Sequence, residues 1–248
     1  MNWPFLTDIA CRLACGLVLW SAVIEWRPIP VAFFRTQCMI ALGLFVLGLL
    51  AGWSDMPMPV RGIWIGLALA SYFASICWGI GLPKFGRGLC ALMALVSLGM
   101  LGWGGYEALG PIEAAARMAG AAWLGATLTA MLLGHYYLTA PAMSIAPLSI
   151  LIRGMFLGLG LRAVTTLAPF VLGQTSGGMN LDAFSALWLG MRVVMGYAGT
   201  FLATYLAWRT AAIRSTQSAT GILYIALALL LFGELTAMLL GRSWGMTV

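Results

Sequence analysis

Apolar residues run along this chain in long, nearly uncharged blocks, separated by short breaks rich in proline, glycine or polar side chains. That pattern is neither the one-faced stripe of a surface helix nor the alternation of a half-buried strand. A hydrocarbon core of about 30 Å takes around 20 residues of helix. With that ruler the sequence predicts eight spans, at 9–26, 31–53, 60–82, 87–106, 114–138, 147–173, 182–208 and 220–241. The breaks carry turn chemistry: Arg27-Pro28-Ile29-Pro30, Pro57 and Pro59 within 54–59, Pro83-Lys84-Phe85-Gly86, and the polar stretch 174–180. The expected fold is all-α: a polytopic integral membrane helix bundle of about eight transmembrane helices with short loops, forming one membrane domain over 1–248. No basic n-region precedes the first apolar block, so it is expected to stay in the membrane and not to be cleaved as a signal.

Composition agrees with this reading. The chain is 62% hydrophobic and 8% charged, whereas a soluble domain carries roughly a quarter charged residues. The net charge of +6 is spread over loops without a basic run, which sets topology and argues against a nucleic-acid partner. The loops after the odd-numbered spans share Arg27, Arg35, Lys84, Arg87, Arg153, Arg209 and Arg214 against Glu25. The opposite side has Arg12, Arg61, Arg117 and Arg242 with Asp8, Asp55, Glu107, Glu113 and Asp182. The positive-inside rule then puts both termini outside, periplasmic for an inner (cytoplasmic) membrane. Gly62/Gly66 and Gly154/Gly158 have the spacing of close helix packing, and Trp20, Trp26, Trp103 and Tyr106 sit near predicted span ends as an aromatic belt.

Two polar constellations stand out. Glu234 lies about 21 Å into the last span by the 1.5 Å rise of a helix, and Arg162 and Arg192 reach a similar depth. An isolated charge there is costly, so Glu234 is expected to pair with Arg162 or Arg192. Such a cluster either ties helices together or serves proton exchange or a polar ligand. The second constellation lies at the inner face, where His135, Tyr136, Tyr137, Arg153, Arg209, Arg214, Gln217 and Ser218 have the donors a quinone or a lipid phosphate takes. The same residues read equally as interfacial tyrosines and helix-terminal caps. Along span seven, Arg192, Gly196, Thr200, Thr204 and Trp208 recur every four residues on one slowly drifting face, suited to a polar path between these two places.

Several chemistries are excluded. One histidine cannot supply both axial ligands of a haem b, and there is no Walker A loop. The one lysine, Lys84, lies in a loop, which removes retinal Schiff-base chemistry. The five cysteines read as apolar packing residues, with no metal site expected. No catalytic residue is assigned. An eight-helix, haem-free membrane subunit is similar in outline to the polysulfide-reductase-type quinol subunits of bacterial respiratory complexes, a likeness of span count and composition that carries no site residue across. The leading expectation is a membrane subunit of a larger respiratory or electron-transfer complex, contacting lipids and other subunits and offering a quinone or lipid pocket at the inner face. The alternative is a stand-alone small-solute or proton-coupled transporter built around the Glu/Arg cluster.

Overall fold

The computed structural model describes residues 4–140, 143–172, 182–245 and 247–248. The predicted polar break at 174–180 lies outside the described residues. Helices α1 (Pro4–Val23), α2 (Val31–Ala51), α3 (Met58–Gly79), α4 (Pro83–Leu109), α5 (Pro111–Thr139) and α6 (Ala146–Val171) each cross once. The seventh crossing is composite: α7 (Ala183–Met191), a π-helical turn at Arg192–Gly199, and α8 (Thr200–Ala212); α9 (Thr216–Trp244) completes the bundle. Eight helices among the described residues are long and apolar enough to span a membrane. Because the crossings alternate, the starts of α1, α5 and α7 share one end of the bundle with the ends of α4, α6 and α9; this is called the N-terminal face below.

The boundaries follow from local chemistry. Proline at the first or second helical position starts α3, α4, α5 and α6, where its missing N–H costs nothing. Asp182 starts α7 by accepting the Ser185 backbone N–H at 3.0 Å. Hydrogen bonds from the Ser185 side chain and backbone hold the Asp182 carboxyl below its usual range. The cap is therefore formed above the ordinary carboxylate pKa and lost as pH falls through the lowered value. Gly245 ends α9 in the left-handed conformation at φ 63°. Beyond it, Thr247 and Val248 are buried.

Helix α5 is the hub, packed on α1, α4, α6 and α9. Its run of alanines and glycines is the reason it can be, since small side chains let helix backbones approach closely in lipid, where the hydrophobic effect supplies no drive between helices. A Cβ on Gly125 would lie 2.2 Å from the Gly16 Cα, so α1 and α5 touch backbone to backbone. Gly154 makes room for the ring of Trp20, and Gly158 for Trp123, whereas Gly62 and Gly66 face open space. The first pair of the sequence pattern thus packs against none of the described residues. Trp20 also leaves the expected belt role, because its indole N–H donates to the Ala122 carbonyl at 2.8 Å. Trp103 and Tyr106 remain exposed. A second packing centre stacks Phe34 on Trp78 with centroids 4.4 Å apart, beside Cys38 and Cys90, whose sulfurs lie 3.8 Å apart.

Gly125→Ala, which drives a methyl group into the α1 backbone, is expected to lower stability by about 1–3 kcal/mol. Gly62→Ala, meeting nothing within 4 Å, should leave it unchanged or slightly higher. Thermal unfolding of the two variants in one mild detergent checks the contrast, and equal behaviour would contradict the α1–α5 contact.

Candidate functional site: a carboxylate held by three arginines

Glu234 is the single acidic residue of α9 and is fully buried. Its Oε1 accepts from Arg162 Nε at 3.1 Å and from Arg192 Nη1 at 2.9 Å, and its Oε2 accepts from Arg12 Nη1 at 3.1 Å. The three arginines come from α6, the π-helical turn and α1, and each is at most 3% exposed. Every one of the four residues lies eight to ten positions from its helix end at the N-terminal face, or about 12–15 Å deep at 1.5 Å per residue.

Local structure explains how they meet. Gly120 on α5 lies under the pair, where a Cβ would come within 3.0 Å of Glu234 Oε2 and 3.2 Å of Arg12 Nη1. Gly196 and Gly233 cross backbone to backbone, a Cβ on Gly233 falling 2.3 Å from the Gly196 Cα. This crossing brings the π-helical turn onto α9 one residue before Glu234. Such turns carry an extra residue per hydrogen-bonded ring and tend to mark functional places. Further donors are absorbed nearby: Arg192 Nη2 donates to the Tyr197 hydroxyl at 2.8 Å, and Tyr197 shares a hydrogen bond with Thr166 at 2.7 Å. Arg162 Nη2 donates to the Val248 carbonyl at 2.7 Å, so the folded-back end of the described chain closes one side.

The network continues toward the N-terminal face. Arg12 Nη2 lies 2.7 Å from Asp8, Asp8 lies 3.8 Å from Arg117, and Arg117 Nε lies 2.8 Å from Glu113. Four arginines thus share three carboxylates. The Nε atoms of Arg12 and Arg192 are buried without a hydrogen-bond acceptor. A cavity of about 490 Å³ opens on this chain of charges, lined by Asp8, Arg12, Glu113, Arg117, Arg162 and Arg242, with Ala108, Leu109, Ala237 and Met238 as its apolar part. Arg242 lies over the Phe5 ring, 3.6 Å from its centroid. The cavity's charged lining is four guanidiniums against two carboxylates.

Sequence reasoning places Glu234, Arg162 and Arg192 at one depth, and in the structure they are in contact. It misses Arg12, which it counts only among the charges of one membrane side. The overlooked signal is Asp8 and Arg12 spaced i, i+4 beside an apolar block, a pairing that lets a helix carry charge into the membrane. At the opposite end of the bundle, His135, Arg153, Arg209, Arg214, Gln217 and Ser218 are exposed and Tyr136 is half-buried. Tyr137 is buried and donates its hydroxyl to the Ser144 carbonyl, Tyr136 packs edge-on against Phe33, and Arg209 reaches Tyr205. None of the cavities described here is lined by these residues. Of the span-seven stripe, Gly196, Thr200 and Thr204 are buried, Trp208 is exposed, and both threonines donate to backbone carbonyls of their own helix. No group of three or more His, Cys, Asp or Glu side chains among the described residues is arranged to hold a metal ion.

In comparisons with protein families, curated proteins and solved structures, nothing matches this chain.

Glu234→Gln leaves three buried guanidiniums without their shared anion and is expected to cost about 3–5 kcal/mol of stability. Glu25→Gln, which removes a carboxylate 61% exposed and 3.8 Å from Arg27, is expected to cost no more than about 1 kcal/mol. Unfolding curves of the two variants in the same detergent distinguish them, and a Glu234→Gln loss as small as that of Glu25→Gln would mean the cluster does not hold the helices together.

Proposed function

We propose that this chain is a multi-pass membrane carrier that takes a small anionic solute into the cavity at the N-terminal face. The carrying observation is the charge balance of that cavity: its walls present Arg12, Arg117, Arg162 and Arg242 against Asp8 and Glu113. Guanidinium groups in a partly apolar enclosure bind carboxylates and phosphates by paired, charge-assisted hydrogen bonds. The size suits a small organic or inorganic anion, because ligand sites of this kind are around 300–1,000 Å³.

Within this reading the residues divide their work. Both oxygens of Glu234 are occupied by guanidinium donors, so Glu234 orients Arg12 and Arg162 toward the cavity and leaves the ligand to the arginines. Arg117 and Arg242, at the rim, draw the anion in. The competing reading, a respiratory subunit with a quinone at the opposite face, draws support from composition and span count alone.

The test is thermal unfolding of the detergent-solubilised full chain in a panel of sodium salts, with acetate, succinate and phosphate set against chloride at equal ionic strength. At least one anion is expected to raise the unfolding temperature saturably, as a ligand at 100 times its Kd contributes about 2.7 kcal/mol. Arg242→Gln should weaken that protection about tenfold, the size of one charge-assisted contact. Uptake of the protecting anion into proteoliposomes then separates carriage from binding. Protection by no anion, together with stoichiometric copurification of cofactor-bearing subunits, would replace this reading with the subunit one.

A further inference from the structure

The opposite end of the bundle holds a second basic recess, open to the surface, with Arg27, Lys84 and Arg87 exposed. A cavity of about 850 Å³ lies between the last turn of α1, the segment after it, and the first turns of α4, lined by Val23, Glu25, Trp26, Arg27, Lys84 and Arg87 among others. Three cations face one carboxylate there. Arg87 is positioned by its Nε donating to the Ala22 carbonyl at 2.7 Å, one of the carbonyls left free at the end of α1. Lys84 makes no hydrogen bond or ion pair among the described residues, and the only ion pair of Arg27 is the 3.8 Å approach to Glu25. Lys84 and Arg27 are therefore cations with unspent donors.

Three further features converge. Helix α4 begins at Pro83, and its first backbone hydrogen bond outside the helix body is Gly86 N–H to the Leu82 carbonyl. The Lys84 and Phe85 amides before it have no acceptor among the described residues, and they point out of the positive end of the helix dipole. Trp26 is half-buried at the rim, the usual place of an indole at the headgroup level. One turn further along α4 from the lining Gly88 and Ala91, Leu92 and Leu95 are more than half exposed, as is Val23 of the lining. A cationic mouth above an apolar flank at the end of two membrane helices matches a molecule with an anionic head and hydrocarbon tails.

We propose that this cavity is a binding site for an anionic phospholipid, the phosphodiester taken by Lys84, Arg87 and Arg27 and the acyl chains lying along Val23, Leu92 and Leu95. Glu25 stands where it accepts a headgroup hydroxyl. The net charge of the lining, two cations in excess, selects a lipid of net negative charge over a zwitterionic one. The site is independent of the solute cavity, from which it is separated by the length of the bundle.

The experiment uses the full chain in a mild detergent, titrated with phosphatidylglycerol and phosphatidylethanolamine of identical acyl chains, with adducts counted by native mass spectrometry. Phosphatidylglycerol is expected to bind in preference, and the double variant Arg27→Gln/Lys84→Gln to weaken it about tenfold. Those two side chains support no helix contact, whereas Arg87 does, and it is left in place. Arg153→Gln, which removes a charge from the same face outside the cavity, should leave binding unchanged. Equal binding of the two lipids, wild-type affinity in the double variant, or an equal loss in Arg153→Gln would each overturn the assignment. Displacement of the lipid by millimolar inorganic phosphate would reassign the cavity to free phosphate.

Discussion

A carboxylate in the middle of an apolar bundle has to find its counter-charges, and Glu234 finds them on three different helices. That requirement organises much of the molecule. Arg12, Arg162 and Arg192 belong to α1, α6 and the seventh crossing, so pairing with Glu234 fixes the position of these elements around α9. In lipid, where packing between helices is driven by close contact and polar bonds, such a tie specifies which helices are neighbours. The small residues serve the same end. Gly120 leaves space for the ion pair itself, and the Gly196–Gly233 crossing lets the seventh helix come near enough for Arg192 to reach. A buried ion pair is a poor source of net stability when compared with well-packed apolar residues. Its contribution here is best understood as choosing one arrangement of helices and holding guanidinium groups at depth.

The proposed anion site rests on a lining that holds more guanidinium than carboxylate. At depth three guanidiniums meet the one carboxylate of Glu234, and Asp8, Glu113 and Arg117 extend the network to the partly exposed helix ends. The network also does not stop at Glu234. It passes through Arg12 and Asp8 to Arg117 and Glu113, so the deep charges communicate with the N-terminal face through alternating signs. The cavity follows this chain of residues down to Arg12 and Arg162. Apolar packing would have filled that volume at lower cost.

The fold was legible because the apolar blocks match the thickness of a membrane and the prolines mark where they begin. Glu234, Arg162 and Arg192 were legible for a related reason: a charge far from any break cannot be a loop charge. Arg12 was not, and the cause is a boundary. The sequence pattern starts the first span at residue 9, three positions before Arg12, whereas α1 starts at Pro4. Five residues of added helix move Arg12 two turns below the surface. The inner-face constellation shows a different limit. His135, Arg209 and Gln217 share one end of the bundle and are exposed there, and which of them face one another depends on helix rotation and not on depth. The approach of Cys38 and Cys90 across α2 and α4 likewise depends on helix rotation, which hydrophobicity alone does not encode when a helix is apolar all round.

The seventh crossing shows how a sequence regularity can be correct in spacing and incomplete in meaning. Arg192, Gly196, Thr200, Thr204 and Trp208 repeat every four residues, and on a 3.6-residue helix a four-residue repeat drifts by about 40° per step. Four steps would carry Trp208 nearly to the far side. The π-helical turn at Arg192–Gly199 widens the winding, and Thr200 donates to the Met195 carbonyl five residues back. Over that stretch each four-residue step falls short of a full turn, opposite in sense to the drift of the α-helix. Arg192, Gly196, Thr200 and Thr204 thereby stay on one buried line, and the drift is left to appear only at Trp208, which emerges at the exposed end. The extra residue in the turn is thus the local cost of keeping an arginine, a glycine crossing and two threonines in register with α9.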